Sequence, residues 1–185
     1  MPTIFFIRHA KTNYNEEGLF TGQKESYVTE KGIEETKQKF ANFDKNFDYI
    51  YRSPLIRTKQ TLEAIIPGAD AIIDERIIET GLGEWEGKEK DKLDPKLVAE
   101  FRAGNYWPPK AEPKEKIFKR ISDFLEDLFE KYKSDERILV VTHAGVIRTI
   151  NKLVHGEIKN SISDLEILTI DNKIYEEYVL NKKEE

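Results

Sequence analysis

Two short apolar runs in this chain each lead straight to a histidine. Ile4-Phe5-Phe6-Ile7 is followed by Arg8-His9, and Ile138-Leu139-Val140-Val141 by Thr142-His143. Four bulky apolar residues in succession leave no polar face. That is the pattern of a strand covered on both sides, as in the middle of a parallel sheet. Ligands of open α/β sheets bind beyond the carboxyl ends of the strands. If the two strands are neighbours, both imidazoles reach one crevice.

The rest of the chain alternates strand and helix signals. Asn13 to Thr29, with Gly18 and Gly22, reads as a polar loop, and a helix is expected over Ile33 to Phe40. Phe47 to Tyr51 is aromatic and β-branched, a second strand. It ends in Arg52-Ser53-Pro54, where Ser53 suits an N-cap and Pro54 the first position of a helix to Ile66. Ala71-Ile72-Ile73 is a short strand, and Thr80 to Gly87 is too rich in glycine for a helix. Asp94 to Arg102 reads as a helix and Trp107-Pro108-Pro109 as loop. The clearest helix is Lys114 to Lys133, with apolar residues at i, i+3, i+4 and i+7 from Ile117 to Tyr132. Val146 to Val154 is another, closed by His155-Gly156. Leu165 to Ile170 and Ile174 to Leu180 around Asp171-Asn172-Lys173 read as a hairpin adding edge strands. The expected fold is a three-layer α/β sandwich. Its central sheet is mostly parallel, with helices on both faces and an antiparallel edge strand near the C-terminus. One domain is expected over residues 1–185.

Composition narrows the function. A net charge of −5 argues against nucleic acid or an anionic membrane as partner, though not against a local basic pocket. The chain has no cysteine, which excludes disulfides, thiolate metal sites and a Cys nucleophile, and suits a reducing compartment. The first apolar run is too short for a signal peptide or a membrane span, so a cytoplasmic location is expected. Monomer and homodimer are equally compatible with the sequence.

A single histidine at a strand end is more often a structural hydrogen-bonding residue than a functional one. Two of three histidines at equivalent strand ends alter that balance. Zinc would need a third ligand, and no HxxxH or HxH spacing exists, so neither metal nor cofactor is expected. Arg8 precedes His9, and Arg57 falls in the first turn after the second strand. Guanidinium groups fit phosphate oxygens bidentately. The turn Thr142-His143-Ala144-Gly145 adds free N–H groups at a helix start. Each arginine alone reads as a surface salt bridge; together with the histidines they make a phosphate pocket.

Four ordered motifs carry a resemblance over nearly the whole chain. Arg8-His9-Ala10, Ser53-Pro54-Leu55-Ile56-Arg57-Thr58, Glu79 with Gly83-Glu84-Trp85-Glu86-Gly87, and Thr142-His143-Ala144-Gly145 resemble those of the histidine phosphatase (phosphoglycerate mutase-like) superfamily. The resemblance implies that His9 is the nucleophile, that Arg8, Arg57 and His143 hold the phosphoryl group, and that Glu79 is the proton donor. Glu84 and Glu86 lie near Glu79, and spacing alone does not choose among the three. Asn15 matches a family asparagine that touches phosphate, and Gln23 sits in a loop expected to reach over the pocket. Attack requires an unprotonated His9 nitrogen, so its other nitrogen should donate to a backbone carbonyl. Two places depart from the family pattern. Arg-His-Gly-Glu is Arg8-His9-Ala10-Lys11 here, with Lys11 either attracting an anionic substrate or simply solvated. Gly-Glu-Ser is Ala111-Glu112-Pro113.

The expected activity is a metal-independent phosphomonoesterase acting on a small phosphorylated metabolite through phosphohistidine. The alternatives are phosphoglycerate mutase, protein phosphohistidine phosphatase and a non-catalytic phosphate-binding module. Specificity is expected in Asn13 to Thr29 and Lys88 to Pro113, with Arg102, Tyr106, Trp107 and Lys110 at the mouth.

Overall fold

The computed structural model describes residues 2–156, 161–171 and 173–174. Its sheet is built from β1 (Thr3–Arg8), β2 (Tyr49–Arg52), β3 (Ile72–Ile73), β4 (Arg137–Thr142) and β5 (Ile167–Ile170). The spatial order is β3-β2-β4-β1-β5. Every pairing is parallel except that of β5, which runs antiparallel to β1 at the edge.

The two apolar runs occupy the centre of this sheet and serve two cores at once. Ile4 and Phe6 of β1, with Ile138 and Val140 of β4, point into one cluster; Ile7, Leu139 and Val141 point into the other. α5 (Lys114–Lys131) and α6 (Ala144–His155) cover the first face, while α2 (Glu30–Lys39) and α3 (Ile56–Ile65) supply the second. This is why neither run has a polar alternate position. Each buried Ile, Val or Phe contributes about 1.5–3 kcal/mol relative to an exposed one, so a charge at any of them would disrupt a whole layer. A third, smaller cluster of Phe20, Leu82, Trp85 and Val98 lies under α4 (Pro95–Arg102).

β1 and β4 are direct neighbours, with Arg8 opposite Thr142. His9 N–H donates to the Thr142 carbonyl at 2.9 Å, so His9 and His143 emerge side by side.

Several boundaries differ from the sequence expectation. α2 begins three residues early because Thr29 Oγ1 accepts from Gly32 N–H at 3.1 Å and starts the helix there. α1 (Asn13–Glu16) interrupts the expected loop, closed by a reciprocal cap between Thr12 and Asn15. α3 starts at Ile56, not Pro54, and Ser53 is not its N-cap. The first helical N–H is instead received by the Glu25 carboxylate, 3.0 Å from Ile56 N. α6 starts two residues early, at Ala144, and ends on Gly156 in the left-handed region at φ 71°. Of the expected C-terminal hairpin, the described residues contain the first arm, as β5. Lys173 and Ile174 are helical, and the remainder of the second arm lies outside the described residues. Among the described residues, no helix is long and apolar enough to cross a membrane.

Candidate active site

His9 is 4% exposed and lies one residue beyond β1. Its Nδ1 is 2.7 Å from the Ala10 carbonyl, which can only accept, so the ring proton belongs on Nδ1. Nε2 is left unprotonated on a ring that lines the cavity. Burial holds the His9 pKa well below 6.5, and the charges of Arg57 and Arg8 push it further down. Ala10 is itself fixed, its N–H donating to Thr61 Oγ1 at 2.9 Å.

The His143 ring centroid is 5.2 Å from that of His9, with the planes at 61°. Arg57 Nε donates to His143 Nδ1 at 3.3 Å, which leaves the His143 proton on Nε2, 2.7 Å from Ser53 Oγ. Ser53 therefore orients this imidazole. Burial is again the main reason that the His143 pKa lies well below 6.5, followed by Arg57 and His9.

Arg57 is fully buried. Its remaining donors reach the Lys24 carbonyl at 2.9 Å and the Gly22 carbonyl at 2.8 Å. Burial lowers its pKa to about 10, with Glu79 the largest opposing charge, so it stays cationic at neutral pH. The loop it holds needs glycine at position 22: φ is +55°, and a Cβ there would overlap the Glu86 side chain. Arg8 is tied on one side, NH1 donating to the Ile162 carbonyl at 2.6 Å and lying 2.9 Å from Asp164. The Asp164 contact is a charge pair rather than an aligned hydrogen bond, and Arg8 Nε is buried with no hydrogen-bond partner among the described residues.

Of the three glutamates that spacing could not separate, Glu79 alone lines the cavity. Its Oε1 accepts from Thr80 N at 2.8 Å and Gly145 N at 3.1 Å. A Cβ on residue 145 would overlap that oxygen, which explains the glycine. Behind it, the Glu79 carbonyl accepts from Gln23 Nε2 at 3.0 Å and Arg120 at 3.4 Å. Arg120 is paired with Glu112 at 2.8 Å, both nearly buried. Glu86 faces the loops, its carboxylate receiving Gln23 N and Leu82 N, each at 2.9 Å. Glu84 is exposed and pairs with Lys110.

At the end of β1 the site thus offers an unprotonated imidazole nitrogen, a second imidazole, two guanidinium groups and a carboxylate anchored on backbone N–H groups. A family model described as the histidine phosphatase superfamily (branch 1) matches residues 4–176. The chain belongs to that superfamily. It is 32% identical over 164 residues to a protein named "Putative phosphoserine phosphatase 2" from Hydrogenobacter thermophilus, covering 84% of this chain and 80% of that one. It is 27% identical over 181 residues to a 2,3-bisphosphoglycerate-dependent phosphoglycerate mutase of Rhizobium meliloti, covering 90% and 86%. The fold matches a crystal structure of phosphoglycerate mutase from Thermus thermophilus with TM-score 0.76 and 23% identity, over 92% and 93% of the two chains. Relatives in this superfamily thus carry both phosphatase and mutase names.

Around His9, the cavity of about 720 Å³ takes in Asn15, Arg102, Trp107 and Ala144, whereas His143 is fully buried and does not line it. Asn15 Oδ1 is used in the helix cap, 3.1 Å from Thr12 N, so its amide nitrogen is what it can offer an anion. Gln23, Lys11, Tyr106 and Lys110 do not line it. Gln23 sits behind Glu79. Lys11 contributes its carbonyl, which accepts from Thr29 N at 3.0 Å and anchors the start of α2. Tyr106 packs on Trp85, with ring centroids 5.6 Å apart. The turn amides expected to hold an anion are partly committed, since Gly145 N–H serves Glu79.

Several lining residues are not singled out by the sequence: Lys90, within the expected specificity segment Lys88 to Pro113, and Lys114, Arg148, Thr149 and Lys152. Ala144, Arg148 and Lys152 are spaced by four along α6 and share one face. That spacing, starting beside His143, is the signal the sequence offers for them. Among the described residues, no group of three or more His, Asp or Glu side chains is arranged to hold a metal ion.

Proposed function

We propose that the protein is a phosphomonoesterase of the histidine acid type, working through a phosphohistidine without a metal ion. The observation that carries this reading is the 2.7 Å bond from His9 Nδ1 to the Ala10 carbonyl, which leaves Nε2 with a free lone pair toward the cavity. Nε2 attacks phosphorus while the ester P–O bond breaks, and Glu79 gives its proton to the departing oxygen. Water then attacks phosphorus, its proton passes to Glu79, and the P–N bond breaks with its electron pair returning to Nε2. Each cycle consumes one ester and one water, and restores both side chains.

Arg8, Arg57 and His143 stabilise the charge on the transferring oxygens, the task on which phosphoryl transfer mostly depends. His143 Nδ1 accepts from Arg57 Nε, so His143 acts by holding that guanidinium in place beside His9. Glu79 Oε1 takes the shorter backbone bonds and Oε2 only a 3.4 Å contact from Gly145 N–H, which leaves Oε2 the freer oxygen for proton transfer. The substrate is a small phosphorylated metabolite, and the absence of cysteine suits work in a reducing cytoplasm.

Release of phosphate from p-nitrophenyl phosphate in EDTA tests the reading. Turnover by the native protein and its loss in His9→Ala are expected; no native turnover, or activity indifferent to His9, would sink it. The mutase reading is favoured by the cations lining the cavity, which suit a doubly phosphorylated species. Interconversion of 3- and 2-phosphoglycerate faster than phosphate release would select it.

A further inference from the structure

Two hydroxyl groups from the segment after β2 act on the imidazole pair, one directly and one at a distance. Ser53 Oγ lies 2.7 Å from His143 Nε2. Thr61 Oγ1 meets neither ring. It accepts from Ala10 N–H at 2.9 Å and lies 2.7 Å from the Arg57 carbonyl, one helical turn back. Its single proton must go to Arg57, because the Ala10 N–H can only donate. Thr61 and Ala10 are both fully buried, so water does not replace either bond. Thr58, the other threonine of α3, is equally buried but gives its hydroxyl to the Ser53 and Leu55 carbonyls at the start of its own helix. Thr61 is the hydroxyl of α3 that leaves the helix and reaches the end of β1.

Three anchors hold the chain as it leaves β1. His9 N–H donates to the Thr142 carbonyl at 2.9 Å, Ala10 N–H to Thr61, and the Lys11 carbonyl accepts from Thr29 N at 3.0 Å. The Ala10 carbonyl, which receives His9 Nδ1, lies between the second anchor and the third. A histidine free in water carries its neutral-form proton mainly on Nε2. The bond to the Ala10 carbonyl selects the opposite tautomer, and it does so only while that carbonyl is aimed at the ring.

We infer that Thr61 is a positioning residue for His9. Its hydroxyl fixes the Ala10 backbone, whose carbonyl then keeps the His9 proton on Nδ1. The same hydroxyl ties this backbone to the carbonyl of Arg57, so the imidazole and the guanidinium are registered through one bridge. The consequence for catalysis rests on His9 being the nucleophile of the proposed reaction; the tautomer itself does not.

Thr61→Val keeps the shape of the side chain and loses the hydroxyl, whereas Thr61→Ser keeps both bonds. Ring 15N resonances of His9, assigned by their loss in His9→Ala, report which nitrogen carries the proton. At neutral pH the native protein and Thr61→Ser should show it on Nδ1, and Thr61→Val should move a measurable share to Nε2. For p-nitrophenyl phosphate, kcat should fall about tenfold in Thr61→Val with KM within about twofold, and Thr61→Ser should recover most of the loss. A His9 proton that stays on Nδ1 in Thr61→Val would overturn the inference, whatever the melting temperature does. So would a shifted tautomer with unchanged kcat, or an equal loss in Thr61→Ser, which would make the methyl group responsible. Should the valine protein not fold, Thr61→Cys, whose thiol is a weak donor and acceptor, is judged by the same outcomes. If the native protein hydrolyses no ester, the resonances still decide. A tautomer shift in Thr61→Val would then uphold Thr61 as the positioning residue while the phosphatase reading falls, and no shift would remove both.

Discussion

The inner half of the cavity is walled by strand ends and helix starts, whereas the outer half hangs on loops and a short helix. His9, His143, Arg57 and Glu79 are each held by backbone atoms or by one another: the Ala10, Gly22 and Lys24 carbonyls, the Thr80 and Gly145 amides, and the Arg57–His143 bond. His143 is in addition set by Ser53, 90 residues away in sequence, because β2 and β4 are adjacent. Lys90, Arg102 and Trp107 come from a segment supported by the small cluster around Trp85. Sheet register places the inner residues, and a separately packed segment lines the rest of the cavity. The outer residues can change without disturbing β1 or β4.

Substituting Arg57 with alanine should do most to break that division, because it strikes chemistry and structure together. The change leaves the Gly22 and Lys24 carbonyls and His143 Nδ1 without their donor, at about 1–3 kcal/mol each. Hydrolysis of p-nitrophenyl phosphate should fall roughly 10³-fold with a lower melting temperature. Unchanged melting would show that the inner half is not the structural unit described. Glu79→Gln is narrower. It should slow an alkyl phosphate by roughly 10²-fold and p-nitrophenyl phosphate far less, since p-nitrophenolate departs without a proton. Equal losses on both substrates would remove Glu79 as the leaving-group acid.

Arg120→Met tests positioning alone. Arg120 reaches the Glu79 carbonyl and the Glu112 carboxylate but does not line the cavity. A drop of about tenfold in kcat for alkyl phosphates with KM unchanged is expected. A change confined to KM, or an equal drop with p-nitrophenyl phosphate, would contradict it.

The smallest effect concerns pH. His9 and His143 titrate below their ordinary 6.5 in the folded chain, chiefly because burial disfavours the imidazolium. As pH falls, the unfolded chain takes up these protons first. The stability from keeping both rings neutral is full above about pH 6.5 and declines below it. Melting temperature should therefore fall between pH 6.5 and 5, less so with inorganic phosphate present. Arg102→Met, in the outer half, should show the same slope. A melting temperature flat across that range would contradict the assignment of two buried neutral rings.

The inner half is largely legible in sequence because its signals are local. An apolar run ending in histidine appears twice, and a parallel sheet of neighbours does the rest. Ser53 is misleading in sequence because serine before proline has a good local use as a cap, and the preference that prevails is for His143 across the sheet. Gln23 and Lys11 fall near the pocket in sequence, but the loop folds so that Gln23 backs Glu79 and Lys11 anchors α2. Lys90 lies in the Lys88 to Pro113 segment expected to carry specificity but nothing distinguishes it there, and Lys114 gives no signal, since a lysine in a mixed-charge stretch usually faces water. Arg148 and Lys152 do have one, a spacing of four starting at Ala144, which gains meaning only once His143 is placed beside it.

The central claim is that His9 Nε2 becomes phosphorylated. Rapid acid-free quenching of the native protein with a slowly hydrolysed phosphate ester, followed by peptide mass spectrometry, tests it directly. An acid-labile gain of one phosphoryl group on the peptide containing His9, absent in His9→Ala, is the predicted result. Turnover with no phosphorylated His9, or a phosphoryl group on His143 instead, would contradict the account.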